Sequence, residues 1–422
     1  MTGQEAVDLI HQEAWTGRKP GLSRTIELLD RLGNPHKKLK YVHITGTNGK
    51  GSTAAMVASV LTAAGLRTGL STSPHLWQFH ERFQVDGVPI PDEALGRIAE
   101  QVIAAGKGME DSATEFELMT AVGMLYFLEA ACDIVVLEVG LGGRLDSTNV
   151  IPAPEVAVIT NIGLEHTAEL GDTRALIAKE KSGIIKAGCE AVLYGQSREV
   201  EAVVERACQK LEVPLTISNP EELEVLSSGL EGQNFRYRGK GPYHIPLLGE
   251  HQRYNAAVAL ETLWALARRG WRISEEAIAE GMSKTVWPAR LELARRGPDV
   301  LLDGGHNPQC MEALCQSLKK LYPDQKLIFL TGMLADKDYP AMVGEMLPLA
   351  REFVTITPDS DRAMSAQDLA EYLKKRGALA FPCDTTQEGL ERALAAAGPQ
   401  GVVCACGSLY MIGEVRHLLG LC

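Results

Sequence analysis

No apolar run in this 422-residue chain approaches the ~20 residues of a helical membrane span, so a helix through a bilayer is not expected. Basic excess is missing too: 42 Lys and Arg stand against 54 Asp and Glu, a formal net charge of −12. That balance argues against general nucleic-acid binding and against an anionic membrane surface as partner. An anionic substrate must then be met by a local basic patch. The nine cysteines form no CxxC pair and no His–Cys cluster. Cys404 and Cys406, two apart on an expected strand, share one face, but the reading is reduced thiols without a zinc site. The opening MTGQEAVDLIHQEAW lacks a basic n-region and an apolar h-region, so no signal peptide is expected and the expected location is cytoplasmic. Neither a short-period repeat nor a low-complexity segment occurs.

What the chain has is an ordinary globular composition, 45% hydrophobic and 23% charged, at a length that suits two domains. Its organising stretch is Lys40 to Gly65, KYVHITGTNGKGSTAAMVASVLTAAG. Tyr41 to Thr45 reads as a buried strand, and Thr53 to Ala64 as a helix. Between them lies Gly46-Thr47-Asn48-Gly49-Lys50-Gly51-Ser52. A strand, a Gly-rich loop and a helix N-terminus make an anion site, because glycines let backbone amides approach phosphate oxygens and the helix dipole favours negative charge. Lys50 would neutralise β- and γ-phosphates, and Ser52 or Thr53 would hold Mg²⁺. The loop departs from G-x-x-x-x-G-K-[ST]: Ile44 stands at the first glycine, and Gly51 separates Lys50 from Ser52.

Ahead of this stretch, residues 1–39 read as helical, with Ile26, Leu28, Leu29 and Leu32 as a packing stripe. Thr68 to Thr72 is a second expected strand. Ser73 to Phe83 reads as a long loop leading into a hairpin around Asp86-Gly87. Its His75, His80 and Arg82, among aromatics, suit either a clamp on a flat anionic ligand or a packed surface loop. Helices are expected over 92–106 and 114–131, the second buried. Asp133 to Val139 is apolar on both faces, as a central parallel strand should be. Glu138 near its end is out of place in a core and takes the position of a Walker-B acid, a candidate Mg²⁺ ligand. His166 follows the strand 155–160 and leaves the sheet on the same edge. The helix 173–186 carries Lys179, Glu180, Lys181 and Lys186, by default a solvated charged face. Residues 218–248 read as irregular except near Phe235 to Tyr237. Val286-Trp287-Pro288-Ala289-Arg290 interrupts the pattern, so the hinge is placed near 284–290. Domains are expected at 1–286 and 287–422. The second part alternates strands and helices, with loops at Asp303 to Pro308 and Asp336 to Asp338, and reads as a small parallel sheet covered on both faces.

Seven segments together carry a resemblance: TGTNGKGS (45–52), TSPHL (72–76), EVGLGGRLDSTN (138–149), ITNIGLEH (159–166), EKSGIIK (180–186), WPARLE (287–292) and DGGHNP (303–308). They are similar to the folylpolyglutamate synthase/dihydrofolate synthase family of the Mur ligase superfamily. The fold this implies is α/β: a P-loop Mur-ligase-like domain with a mostly parallel sheet, plus a smaller Rossmann-like C-terminal domain on the glutamate side. Two departures stand out. The motif usually written PGR is Pro288-Ala289-Arg290, and DGAHN is Asp303-Gly304-Gly305-His306-Asn307; both keep the charged residues.

The resemblance implies that ATP phosphorylates a carboxylate of dihydropteroate or a folate, and that the amine of L-glutamate then attacks the acyl phosphate. It also implies roles. Gly46, Thr47, Asn48, Gly49, Lys50, Gly51, Ser52 and Thr53 hold the nucleotide with Asn255, Arg290 and Asp303. Ser52, Ser73, Glu138 and His166 serve two Mg²⁺ ions, with a monovalent cation as a further candidate. Ser73, Pro74, His75 and Arg82 face the pterin side, Asp146 is a further substrate residue, and His306 and Ser408 lie toward the glutamate. Lys50, His166, Lys181 and His306 are the catalytic set, Lys181 as a carbamate. Partners are small molecules only, and a monomer is expected. One alternative is a Mur-type ligase acting on a nucleotide-linked peptidoglycan precursor. Such chains usually carry a further N-terminal domain, and residues 1–39 leave no room for it. The other is a P-loop regulatory NTPase, which would not need a second domain with charged loops of its own.

Overall fold

The computed structural model describes residues 1–12 and 21–421. It divides into two compact units. The first comprises Met1–Glu224, Phe235–His244 and Tyr254–Thr285, the second Val225–Asn234, Ile245–Arg253 and Val286–Cys422.

The first unit is built on an eight-stranded sheet. Its strands are β1 Tyr41–Thr45, β2 Thr68–Ser71, β3 Phe83–Val85, β4 Val88–Pro89, β5 Ile134–Glu138, β6 Val156–Ile159, β7 Glu190–Leu193 and β8 Leu215–Ile217, in the order β4-β3-β2-β5-β1-β6-β7-β8. Among the described strands of this sheet only β3 runs against the rest: it pairs antiparallel with β2 on one side and with β4 on the other, the latter through the hairpin turned by Asp86 and Gly87, both at positive φ. Around the sheet lie α1 Gly3–His11, α2 Ser23–Arg31, α3 Lys50–Ala63, α4 Asp92–Gly106, α5 Glu115–Glu129, α6 Thr167–Leu170, α7 Arg174–Lys181 and α8 Arg198–Leu211. Because β1 sits between β5 and β6 in parallel register, the loops after Thr45, Glu138 and Ile159 leave one carboxyl edge side by side. That edge is where open α/β sheets bind ligands.

Strand β5, apolar from Ile134 to Leu137, is buried throughout, and α5 buries Leu118, Met119, Val122 and Leu125, as its all-round apolar sequence requires. Ile26 is a correction: it is exposed on α2, whose inner face is Arg24, Thr25, Leu28 and Leu29. Ile26 lies two residues from Leu28, most of the way round the helix. Arg24 is buried because Glu117 receives its guanidinium at 2.9 Å.

Residues 218–248 are also more regular than their polarity suggests. They hold a three-stranded sheet of β9 Leu223–Gly229, β10 Gly232–Tyr237 and β11 Lys240–Ile245. The outer strand β9 is solvated along most of its length, so its alternation carries no apolar signal. Then come α9 Glu250–Arg268 and α10 Glu275–Ser283.

The second unit holds a six-stranded sheet of β12 Glu292–Arg295, β13 Asp299–Asp303, β14 Leu327–Thr331, β15 Ala350–Thr355, β16 Ala380–Pro382 and β17 Val402–Cys406, ordered β12-β13-β17-β14-β15-β16. Only β12 is antiparallel. The helices are α11 Pro308–Leu321, α12 Tyr339–Met346, α13 Ala366–Lys374, α14 Thr386–Ala397 and α15 Leu409–Leu418. Register places Asp303 beside Cys406, and Cys406 beside Thr331, so this sheet too gathers its loops at one carboxyl edge. Cys404 and Cys406 are buried and free, in a core with Phe329 and Phe353.

Candidate active site

The loop after β1 has the geometry of an anion cradle. α3 begins at Lys50, three residues earlier than the sequence suggests, with Gly49 at its N-cap in the left-handed region at φ 86°. The amides of its first turn have no intrahelical acceptor and face outward along the helix dipole. Two glycines are required by close approach: a Cβ at Gly46 would run into Thr160, and one at Gly49 into the Asn255 side chain. The loop is pinned by the Thr47 amide to the Asn161 carbonyl at 2.7 Å, and by Thr160 Oγ1 to the Asn48 carbonyl at 2.8 Å. Asn255, on α9, thus lies against the loop.

Lys50 Nζ donates to the Thr47 carbonyl at 3.1 Å and stands 4.0 Å from Glu138 Oε1. Glu138 ends β5 and is buried; its Oε2 accepts from the Ser73 amide at 3.2 Å. Glu138, Ser73, Arg82 and Thr148 line a concavity of about 370 Å³ together with Phe83, Phe116 and Phe127. Arg82 Nε donates to His75 Nδ1 at 2.9 Å. Burial first, and Arg82 second, pull the His75 pKa down to about 4, so its ring is a neutral acceptor. Pro74 is exposed and does not line the concavity.

A second concavity, of about 300 Å³, is lined by Thr47, Lys50, Gly142, Glu165, His166 and Lys181. His166 sits at φ 51° and caps the short α6. The default reading of 173–186 as a solvated charged face fails at two lysines. Lys181 is 4% exposed, on the inner side of α7 with Ile177 and Ala178, and its Nζ donates to the Gly46 carbonyl at 2.7 Å. Burial, then Lys50, lowers its pKa to about 7 against the opposing pull of Glu165 and Asp146. Lys186 turns inward to the carbonyls of Asn149 and Ile151, and burial lowers its pKa to about 8. Lys181 follows Ile177 and Ala178 at helical spacing and so shares their buried face, whereas Lys186 lies past the end of the helix, where helical periodicity gives no direction.

Asp146 is 7% exposed, and its own loop occupies its carboxylate. Oδ2 accepts from the Leu141 amide at 2.8 Å, and Oδ1 from the Thr148 amide at 3.0 Å and its hydroxyl at 2.5 Å. Burial pushes this carboxyl up, against the pull of those donors.

In the second unit, Asp303 ends β13, buried, accepting from the Leu291 amide at 2.9 Å and the Gly305 amide at 2.8 Å. Burial raises its pKa while Arg290 opposes. Arg290 Nη1 lies over Gly304 and donates to the Ala289 carbonyl at 2.9 Å. His306 Nδ1 is 3.1 Å from the Gly304 carbonyl. Ser408, at the N-cap of α15, is 1% exposed, and its Oγ has no hydrogen-bond partner among the described residues. Arg290, Asp303 and His306 are therefore one cluster.

The sequence reading missed Glu165 and Thr148, both inside motifs it quoted, and Phe116 and Phe127, which it had no means of separating from core. Arg362, which pairs with Asp336 at 2.8 Å on the second unit's carboxyl edge, carries no sequence signal at all.

Among the described residues, no group of three or more His, Cys, Asp and Glu side chains is placed to hold a metal ion. Ser52, Ser73 and Glu138 offer hard oxygens instead. That donor set fits Mg²⁺, which keeps several waters and binds through one or two carboxylates plus substrate phosphates.

Two family models match. The Mur ligase middle domain covers residues 44–263, and the Mur ligase glutamate ligase domain residues 289–409. The chain is 35% identical over 435 residues to the dihydrofolate synthase/folylpolyglutamate synthase of Bacillus subtilis, covering 99% of each chain. Among solved structures it is similar to Mycobacterium tuberculosis folylpolyglutamate synthase complexed with ADP, at 31% identity and a TM-score of 0.90 over 99% of each chain. Escherichia coli FolC in complex with DHPP and ADP gives 29% identity and a TM-score of 0.88, covering 100% of this chain and 98% of that one.

Proposed function

Because this chain belongs to the Mur ligase family, in its folylpolyglutamate synthase/dihydrofolate synthase branch, we propose that it is an ATP-dependent ligase adding L-glutamate to dihydropteroate, to folates, or to both. The observation that carries this reading is Lys50 at the start of α3, 4.0 Å from the buried Glu138, in a loop where Gly46 and Gly49 admit no side chain.

A free carboxylate is a poor acyl donor, and phosphorylation supplies the leaving group it lacks. Phosphate oxygens of ATP are held by the α3 first-turn amides and by Lys50. The substrate carboxylate attacks the γ-phosphorus, giving an acyl phosphate and ADP. The α-amine of glutamate attacks the acyl carbon, and phosphate leaves from a tetrahedral intermediate. Ser52, Ser73 and Glu138 would hold Mg²⁺, with His166 serving a second ion and a monovalent cation as a further candidate. When bound, such ions screen the approach of one anion to another. Asn255 joins the nucleotide loop, and Arg290 and Asp303 are nucleotide contacts of the second unit. His306 and Ser408 face glutamate; the unpartnered Ser408 hydroxyl suits a ligand carboxylate. Ser73, Pro74, His75 and Arg82 serve the pterin side, while Asp146 contributes through the loop that it fixes. Lys181 acts as a carbamate. The boundary near 284–290, a monomeric state and a cytoplasmic location belong to the same reading.

The test is ATP-dependent incorporation of labelled glutamate, with dihydropteroate and tetrahydrofolate assayed side by side. Product with either acceptor supports the ligase, and the pair of rates assigns the acceptor. ATP hydrolysis that is indifferent to both acceptors would overturn it.

A further inference from the structure

His43 is an unusual residue for the middle of a parallel sheet. It lies on β1 between β5 and β6, with no exposed surface, and no step described above uses it. Its Nε2 is 2.9 Å from Thr148 Oγ1, and its Nδ1 is buried with no partner among the described residues. Thr148 Oγ1 is in turn 2.5 Å from Asp146 Oδ1. Three polar groups thus form a line from the centre of the sheet to a buried carboxylate.

We propose that His43 and Thr148 are positioning residues that hold Asp146 as the internal anion of the 140–146 loop, so that one carboxylate sets both the backbone wall of the Lys181 concavity and the Thr148 wall of the Glu138 concavity. This rests on the ligase reading for its kinetic meaning, but not for its structure.

The polarity of the line follows from counting donors. If Thr148 donates to Asp146, then His43 must donate Nε2–H to Thr148, which leaves Nδ1 as an unpaired acceptor. If the line ran the other way, Asp146 would carry the proton and His43 would bear an unpaired buried N–H at Nδ1. An orphaned buried donor is rarer than an under-satisfied acceptor, so the first arrangement holds. The other groups on the carboxylate agree. Leu141 and Thr148 amides donate to it, as does the Gly140 amide. Gly140 has no room for a side chain, because a Cβ there would enter the Phe116 ring. Gly140, Leu141 and Gly142 line the concavity with Lys50 and Lys181, whereas Thr148 lines the one with Glu138 and Ser73. Thr120 Oγ1, 2.6 Å from Ser147 Oγ, ties the same turn to α5. The line therefore joins the two walls by hydrogen bonds rather than by chain continuity alone.

The test has a spectroscopic and a kinetic arm. In protein labelled with ¹⁵N-histidine, with His43→Gln assigning the signal, His43 should be protonated at Nε2 and bare at Nδ1. Thr148→Val should shift that Nε2–H signal, and Thr148→Ser should return it. In the glutamate-incorporation assay Thr148→Val should lower kcat/KM for both ATP and the pteroate acceptor about tenfold, with Thr148→Ser recovering to within about twofold. A His43 protonated at Nδ1 overturns the proposal. So does a Thr148→Val protein that melts lower yet keeps wild-type kcat/KM, since that is a structural role only. If the wild-type protein adds no glutamate, the ligase reading fails, and the tautomer still decides the polarity of the line.

Discussion

Lys181 Nζ donates a 2.7 Å hydrogen bond to the carbonyl of Gly46, which places a buried amine directly beneath the loop that is to hold phosphate. With its pKa pulled to about 7 by burial and by Lys50, a large share of this amine is neutral at working pH. A neutral amine takes up carbon dioxide to give an anionic carbamate and a proton, and that anion would share its concavity with Lys50. Lys181→Ala is expected to lower turnover by at least ~10²-fold, with acetate restoring part of it. A fully active Lys181→Ala enzyme would sink the carbamate.

The same shift has a sign for stability. The folded pKa, about 7, lies below the ordinary 10.5. Between those values the unfolded chain holds the extra proton, so stability rises with pH across that window. Lys181→Met should therefore melt above wild type in carbon-dioxide-depleted buffer, and by more at pH 7 than at pH 9.5. An increment independent of pH would contradict the buried-amine account.

Lys50 has a part-exposed side chain, 19% accessible, so removing it leaves the fold standing. Lys50→Ala is expected to reduce glutamate incorporation by on the order of 10²–10³-fold, with a melting temperature near wild type. Glu138→Ala should lose activity similarly, with poor rescue by excess Mg²⁺. Near-native turnover in a folded Lys50→Ala protein would remove the loop from the mechanism.

Gly49 and Gly65 have nearly the same φ, 86° and 81°, but different surroundings. Alanine at either costs about 1–2 kcal/mol for the left-handed conformation. At Gly65 a Cβ meets nothing within 4 Å, whereas at Gly49 it meets Asn255. Gly65→Ala should melt lower with unchanged KM for ATP, and Gly49→Ala should raise that KM as well. Equal kinetic effects would mean that strain, not the collision, governs the loop.

His36 and His43 are both buried, and burial lowers their pKa values to about 4 and about 3. Both are depressed below the ordinary 6.5, so their contribution is present above pH 6.5 and is lost as the pH falls from there towards 4. Each adds a slope of up to about 1.4 kcal/mol per pH unit in that window. Urea unfolding at pH 6.5 and pH 5 should show it, and His36→Gln should flatten the difference. No change in slope would place the His36 proton elsewhere.

Much of this was legible in the sequence, for reasons that can be named. β1, β5 and β13 are short apolar runs ending in Gly-rich loops, and they lie where the pattern puts them, to within a residue. Thr114 and Glu117 announce the start of α5 through their capping box. Burial of a charged side chain was not legible. Lys181 and Lys186 sit in a run of charges that reads as solvated, yet Lys181 lies on the buried face of α7 with Ile177 and Ala178, and the turn after α7 brings Lys186 in. Ile26 failed for the opposite reason, since an apolar residue near a stripe need not lie on it. The line from His43 to Asp146 spans |i−j| = 105 at its first link, and no local pattern can report a contact of that range.

The interleaving of the two units along the chain bears on how the protein is made. Residues 225–234 and 245–253 belong to the unit completed by 286–422, yet they leave the ribosome before Tyr254–Thr285, which the other unit needs. Leu248 is buried in the core with Leu301 and Phe329. The first buried member of that core to follow it, Leu291, comes 43 positions later, roughly 2–9 s at 5–20 residues per second. For that interval a nascent chain carries an orphaned apolar segment beside a nearly finished neighbour, which makes this stretch a natural client for a holding chaperone, and makes expression of 286–422 alone a poor route to a soluble half-molecule.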